Sequence, residues 1–265
     1  MTRPLVLLSN DDGVAASGLM ALREALLPTC DVIVCAPESN QSATSHSLTL
    51  GRVLRLREVA DGVFAVDGTP ADSVYVALHA PGRVLPRLPD LCVSGMNHGL
   101  NLGVDVFYSG TVAAAREAAL RGVLSVAVSA DAAADRASAA AAGARIALAL
   151  SRAVAAGSAT GSLFNVNVPP GREWGVRATT LGRRSYESDV VFRTDPRGAE
   201  YLWIGGFMAV HHDAPGSDTE AYDAGVIGIT PLGLDLHAPA GMALASEAAS
   251  LATALRSPRD PQAHD

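Results

Sequence analysis

The sequence predicts an α/β fold: a doubly wound, mostly parallel sheet with helices on both faces and an extended β-rich arm. Three observations carry that expectation. Short aliphatic runs recur along the chain and alternate with helix-length stretches, the pattern of βαβ units. Each run is bounded by turn formers and is too short for an ordinary helix, as strands buried on both faces are. Between residues 172 and 225 the character changes to mixed polar and aromatic, with Tyr186, Phe192, Tyr201, Trp203, Phe207 and Tyr222, which fits strand pairs reaching away from a core.

The first strand is Leu5-Val6-Leu7-Leu8, which ends abruptly in Ser9-Asn10-Asp11-Asp12-Gly13. Ser17 is placed to cap a helix to about Leu27, with Leu19, Leu22 and Leu26 spaced along one face. Val32-Ile33-Val34-Cys35-Ala36 is a second buried strand, and strand, helix, strand at this length implies a right-handed parallel crossover. After a polar stretch from Glu38 to Thr49, alternating segments around Val53-Leu54-Arg55-Leu56 and Val63-Phe64-Ala65-Val66 fit a hairpin inserted in the core. Gly68-Thr69-Pro70 opens a helix to about His79, since proline is tolerated in a first turn. Leu91-Cys92-Val93-Ser94 is the next strand and runs into glycines, asparagines and hydroxyls; a helix from about Thr111 to Arg121 and a strand from Ser125 to Ser129 follow. Alanine dominates residues 130 to 160 and predicts one helix. Phe164 to Val168 alternates as a strand that Pro169-Pro170-Gly171 breaks. Val226 to Thr230 is a last strand and residues 241 to 255 a closing helix. The expected layout is one Rossmann-like domain over residues 1–256, with the arm at 172–225 inside it and a loose tail at 257–265.

Composition narrows the function. At 265 residues, with 49% hydrophobic and 18% charged residues, the chain can bury a sizeable core. No apolar run approaches the roughly 18 residues of a membrane span, and Met1-Thr2-Arg3-Pro4 leads straight into the first strand without a secretory signal, so a soluble, cytoplasmic protein is expected. Cys30, Cys35 and Cys92 are odd in number and lie in or beside apolar runs, as reduced core residues do. A net charge of -7 argues against binding to nucleic-acid duplexes, which takes basic surface.

Three polar segments follow strands that should be parallel, so their ends gather on one edge of the sheet. They are Asn10-Asp11-Asp12-Gly13, the stretch from Asn40 to Ser47, and Gly95-Met96-Asn97-His98-Gly99-Leu100-Asn101. Their two carboxylates, with hydroxyls and amide carbonyls from the other segments, are all oxygen donors, which suits a hard cation such as Mg²⁺ or Mn²⁺. Adjacent like charges repel, and a divalent cation offsets that repulsion; a solvated turn is the other reading of the same residues. Tyr108-Ser109-Gly110-Thr111 precedes a helix whose first free N–H groups favour a phosphate, although Ser and Thr are also routine caps. There is no Walker A loop, no GxGxxG, no GxSxG and no HExxH. His46 and His98 fit a polar rim or a proton donor; Asp72 fits a first-turn carboxylate, and Asp105 an exposed loop charge. His211-His212-Asp213 looks like a ligand cluster, but strand neighbours face opposite ways, which favours a loop or an oligomer contact.

With these residues laid out, the sequence resembles the SurE (survival protein E) family of divalent-metal-dependent 5′/3′-nucleotidases. The resemblance rests on LLSNDDG with SGLMAL, NQSATSHSLTL, GTPADSVYVAL, SGMNHGLNLGVDVFYSGTVAAAREA, DPRG with YLWIGG, and GITPLGLDL, in that order. It implies metal ligands at Asp11, Asp12, Ser42 and Asn97, with Asp11 and Asp12 catalytic and phosphate bound by Asn10, Asn97, Ser109, Gly110 and Thr111. It further implies one Mg²⁺ or Mn²⁺ per subunit, a site that Ca²⁺ can also occupy, and a homodimer or homotetramer joined through the arm. The substrate class implied is nucleoside 5′- or 3′-monophosphates, and also short polyphosphate. A metal-dependent nucleotide sensor without catalysis is the alternative. Ala43 stands where the family usually has glycine, a change that matters if the position needs positive φ.

Overall fold

The computed structural model describes residues 3–157, 163–186, 189–205, 209–212 and 214–254, which fall into two compact units, Met1–Leu232 and Gly233–Asp265. The expected tail at 257–265, with Phe207 and Asp213, lies outside the described residues.

In the first unit the sheet is built on β1 (Leu5–Ser9), whose five residues are all buried. Its neighbours are β2 (Asp31–Pro37) and β5 (Leu91–His98), both parallel to it, with Val6 opposite Val32 on one side and Leu91 on the other. Beyond β2 lie β4 (Val63–Val66), parallel, and β3 (Leu56–Ala60), antiparallel and exposed; beyond β5 lie β6 (Ser125–Ala130) and β7 (Leu163–Val168), both parallel. The order is completed by β13 (Ile227–Pro231), antiparallel to β7, and β8 (Val176–Ala178) at the far edge. The expected 53–66 hairpin forms within the core, its first strand starting later than the alternation indicated and β4 joining the main sheet through β2.

Alternation along each central strand feeds two cores. Val6, Leu8, Val34, Leu91, Val93 and Val128 face α1 (Ser17–Leu26) and α4 (Arg136–Ala155), where Leu19, Leu22 and Leu26 are fully buried. Leu5, Leu7, Cys35 and Cys92 face α2 (Pro70–His79) and α3 (Gly110–Leu120). Burying a leucine fully is worth roughly 1.5–3 kcal/mol, so the aliphatic run of β1 is a large fraction of what anchors the sheet. The small residues of α4 let it lie close to β6: a Cβ on Gly143 would stand 2.8 Å from Val128 Cγ1. Pro70 opens α2 behind a capping box in which Thr69 and Asp72 exchange hydrogen bonds. Ser17 is the first residue of α1 rather than its cap; Ala16 caps without a side-chain bond. All three cysteines are free and buried.

The arm region places β8 in the main sheet and forms two separate two-stranded sheets. β9 (Arg183–Tyr186) pairs with β12 (Ala209–His212), and β10 (Asp189–Thr194) pairs with β11 (Glu200–Gly205). A short helix, α5 (Asp218–Asp223), returns the chain to β13. The second unit contains α6 (Met242–Ala254), matching the expected closing helix. Among the described residues no helix is long and apolar enough to cross a membrane.

Candidate active site

Strand order reverses at β1: β2 and β4 lie on one side, β5 to β7 on the other. In open parallel sheets this switch point leaves a crevice at the strand carboxyl ends. The Asn10 to Gly13 turn leaves β1 there. Asn10 is fully buried and its side-chain N–H₂ donates to the Gly13 carbonyl at 2.9 Å, bracing the turn from beneath, while its Oδ1 has no partner among the described residues. Asp11 points at the N-terminus of α3, where its carboxylate accepts hydrogen bonds from the Thr111 hydroxyl and the Thr111 backbone N–H. The anion at this helix start is therefore a side chain of the protein itself. Gly110 is required for that approach, since a Cβ there would stand 2.8 Å from Asp11 Cβ and 3.0 Å from Oδ2. Ser109 caps α3, accepting from the Val112 N–H at 3.0 Å.

Burial pushes the Asp11 carboxyl up to about 6; the Thr111 hydrogen bonds oppose this and the Asp12 charge adds to it. Asp12 is half-buried and accepts from the His98 backbone N–H at 3.2 Å and from Asn40 Nδ2 at 3.4 Å. Asn40 Oδ1 in turn accepts from both the N–H and the hydroxyl of Ser42, at 2.8 and 2.7 Å, which leaves the lone pairs of Ser42 Oγ available. Asn97 donates its N–H₂ to the Gly99 carbonyl at 2.8 Å, leaving Oδ1 open.

A cavity of about 390 Å³ collects Asp11, Ser42, Asn97 and Ser109 in its wall. A second, of about 390 Å³, holds Asp12, Asn40, Asp131 and Arg136, and His98 lines both. A larger cavity, about 590 Å³ between α4 and Trp174, lies away from these residues. Of the residues singled out in the sequence, Asp11, Ser42, Asn97 and Ser109 thus share one cavity and Asp12 opens into its neighbour. Asn10 lies beneath, and Gly110 and Thr111 act on Asp11. The set fits a hard cation: two carboxylates, one buried and raised further by its neighbour's charge, stand with an amide oxygen and a hydroxyl oxygen whose hydrogen-bond donors are already committed. Among the described residues no group of three or more His, Cys, Asp or Glu is gathered to hold a metal ion.

The loop bearing Ser42 is held by contacts the sequence did not reveal. His46 Nε2 lies 2.9 Å from Glu117 Oε2, and Arg121 also pairs with this carboxylate. Burial pulls Glu117 upward, but His46 and Arg121 outweigh it and its pKa is lowered. Ala43 has φ +58°, so the position that departs from the family's glycine does adopt the left-handed region. Beyond β5, Asn101 donates to Ser129 Oγ and Asn167 Oδ1 and accepts from Asn165 and Asn167, which pins the following loop to β6 and β7. Asp105 is a correction: it is buried rather than an exposed loop charge, accepting from Arg184 Nη1 at 2.5 Å and the Tyr186 hydroxyl at 2.6 Å. Asp72 is buried too and, besides capping α2, accepts from Thr49 N–H and Oγ1. His211 and His212 sit on strand β12, not in a loop, and turn apart as alternation requires: His211 pairs with Asp223 at 2.8 Å and His212 with Ser185 at 2.8 Å.

Fold and site define an α/β protein of the Rossmann-like class with an acidic, oxygen-rich site at its switch point. Residues 6–188 match the family model described as Survival protein SurE. A protein of Sorangium cellulosum named 5′-nucleotidase SurE is 64% identical over 237 residues, covering 89% of this chain and 92% of that one. One of the same name from Anaeromyxobacter dehalogenans is 53% identical over 232 residues, covering 87% and 90%. The crystal structure of the SurE protein from Aquifex aeolicus superposes with a TM-score of 0.79 at 33% identity, covering 93% of this chain and all of that one. The chain belongs to the SurE family.

Proposed function

We propose that the chain is a divalent-metal-dependent phosphomonoesterase that hydrolyses nucleoside 5′- or 3′-monophosphates, and also short polyphosphate. The observation that carries this reading is the gathering of Asp11, Ser42, Asn97 and Ser109 on one cavity, beside Asp12, in a chain whose relatives are named 5′-nucleotidase. Asp11, Asp12, Ser42 Oγ and Asn97 Oδ1 would hold Mg²⁺ or Mn²⁺. Such a cation supplies positive charge that polarises a phosphoryl oxygen and an attacking water.

The protein's own groups do the rest. Thr111 holds Asp11 in its ionised form and in one orientation through two hydrogen bonds. Ser109 and Asn97, in the cavity wall, bind the phosphate's equatorial oxygens, since Asp11 already takes up the start of α3. Asn10 keeps the turn in shape from below. His98, which lines both cavities, would give a proton to the departing ester oxygen. Water is the nucleophile in this scheme; oxygen-18 from water entering phosphate in one turnover, with no phosphoprotein, supports it, and a trapped phosphoaspartate refutes it.

Self-association as a homodimer or homotetramer is supported by the β10–β11 hairpin, which exposes Phe192 and Trp203 by about three-fifths and Ile204 by 84%. The deciding experiment is phosphate release from a panel of nucleoside monophosphates, with and without EDTA, for wild type and Asp12→Asn. Activity that needs added Mg²⁺ or Mn²⁺ and is lost in the variant is expected. EDTA-resistant turnover, or full activity in the variant, refutes the metal site, and nucleotide binding without phosphate release identifies a sensor.

A further inference from the structure

The cavity beside Asp11 has a second wall that the phosphate chemistry leaves unused. Besides Ser42 and Asn97 it is lined by Leu100, Tyr108 and Tyr186. Tyr186 comes from β9, the root of the arm, far along the chain from the other lining residues. The residue is 40% exposed, yet its position is fixed from several directions. The hydroxyl donates to Asp105 Oδ1 at 2.6 Å, and Arg184 bonds the other oxygen of the same carboxylate. The Arg184 guanidinium also lies over the Tyr186 ring, 5.2 Å from its centroid. Asp105 belongs to the short 3₁₀ helix Gly103–Phe107, which leads directly into Ser109 and α3. Asp218 binds the same turn to the arm's root, accepting from Gly103 N–H at 3.0 Å and Gly182 N–H at 2.7 Å.

A solvent-facing tyrosine does not need a buried carboxylate to hold it. Here the carboxylate fixes an aromatic ring at the cavity while leaving part of it open. With phosphate at the Ser109 end, whatever is esterified to it extends toward this wall. We infer that Tyr186 is a specificity-determining residue: its ring, locked to Asp105 and Arg184, is the surface on which the base of a nucleoside monophosphate stacks. The arm is thereby part of the substrate site. This rests on the nucleotidase reading, and its test separates the two.

The experiment compares Tyr186→Leu, Tyr186→Phe and wild type on adenosine monophosphate and on ribose 5-phosphate, which carries the phosphate and sugar without a base. Tyr186→Leu is expected to raise the KM for the nucleotide relative to that for the sugar phosphate about ten-fold, the scale of one lost base–aromatic stack, with the effect in KM rather than kcat. Tyr186→Phe keeps the ring and is expected to retain most of the discrimination. Calorimetric binding of adenosine to each protein reads the same contact without turnover and is expected to weaken about ten-fold in Tyr186→Leu. An unchanged KM ratio in Tyr186→Leu overturns the inference, as does adenosine that binds both proteins equally or neither. Failure of the nucleotidase reading looks different: wild type releases no phosphate from either ester, while adenosine binding still decides the role of Tyr186.

Discussion

Replacing Asp11 by asparagine should abolish activity and at the same time stabilise the metal-free protein. The Asp11 carboxyl is pushed up to about 6, chiefly by burial, from an ordinary value of 3.8. The folded protein therefore holds this proton more tightly than the unfolded chain does. Stability from this group is greatest below about pH 4, falls as pH rises through the interval to about 6, and the loss is complete above it. At about 1.4 kcal/mol per pH unit, a separation of about two units costs the folded state ~3 kcal/mol near neutrality. The substituted amide would carry no charge, still accept from Thr111 and remove the repulsion with Asp12. In EDTA at about pH 7.5, Asp11→Asn should then exceed wild type by up to ~3 kcal/mol, or roughly 6–12 °C in Tm, while near pH 4 the two should converge. Urea unfolding across that pH range measures it, and the difference between the proteins isolates Asp11 from every other titrating group. Added Mn²⁺ should raise the midpoint of wild type and not of the variant. Parallel pH profiles for the two proteins in EDTA would refute the reasoning.

Three further outcomes follow from the geometry. Gly110→Ala places a Cβ against Asp11 and Pro70, so either the carboxylate or α3 must shift; ~1–3 kcal/mol of stability and at least about ten-fold in kcat/KM should be lost, read by thermal melting and phosphate release. His46→Ala leaves buried Glu117 with Arg121 alone and unpins the Ser42 loop, which should cost ~1–3 kcal/mol in urea unfolding and weaken Mn²⁺ binding; wild-type values for both would refute the latch. Ala43→Gly should relieve left-handed strain of ~1–2 kcal/mol against a glycine entropy cost of ~0.5–1 kcal/mol, for a net gain of about 0.5 kcal/mol in urea unfolding, and a net loss would overturn that account.

The central strands were legible because burial on both faces leaves nothing but aliphatic residues, and Leu5 to Leu8 can be read as nothing else of that length. The convergence of the three polar segments was legible for the same reason, since the ends of parallel strands share an edge; that Ser42 and Asn97 are the residues within them that reach the Asp11 cavity came from the family resemblance. What each strand pairs with was less so. Alternation at Val63 to Val66 marks a strand, but nothing in it says that β2 waits on its other side. Asp105 and Glu117 were invisible as anchors because their partners, Tyr186 and His46, lie 81 and 71 residues away, and a carboxylate's local sequence does not show that a distant cation or hydroxyl will cover it. The demand at Ala43 was legible only as a condition; the fold supplied the positive φ.

Placing β1 at the centre of the sheet has a consequence for how the protein is made. The strand that must be covered on both edges is made before either of its neighbours, and they arrive at very different times. β2 emerges soon after, but β5 does not: its first residue, Leu91, is the partner of Val6, and the Leu5 N–H bonds the Asp90 side chain just before it, 85 residues along the chain. At about 5–20 residues per second that is roughly 4–17 s during which one edge of an aliphatic strand stays open. Parallel pairing over such a span is also intrinsically slow. The nascent chain thus carries the Asp11–Asp12 turn for seconds before Asn97 is made, with an aliphatic strand edge open to wrong pairing throughout that interval.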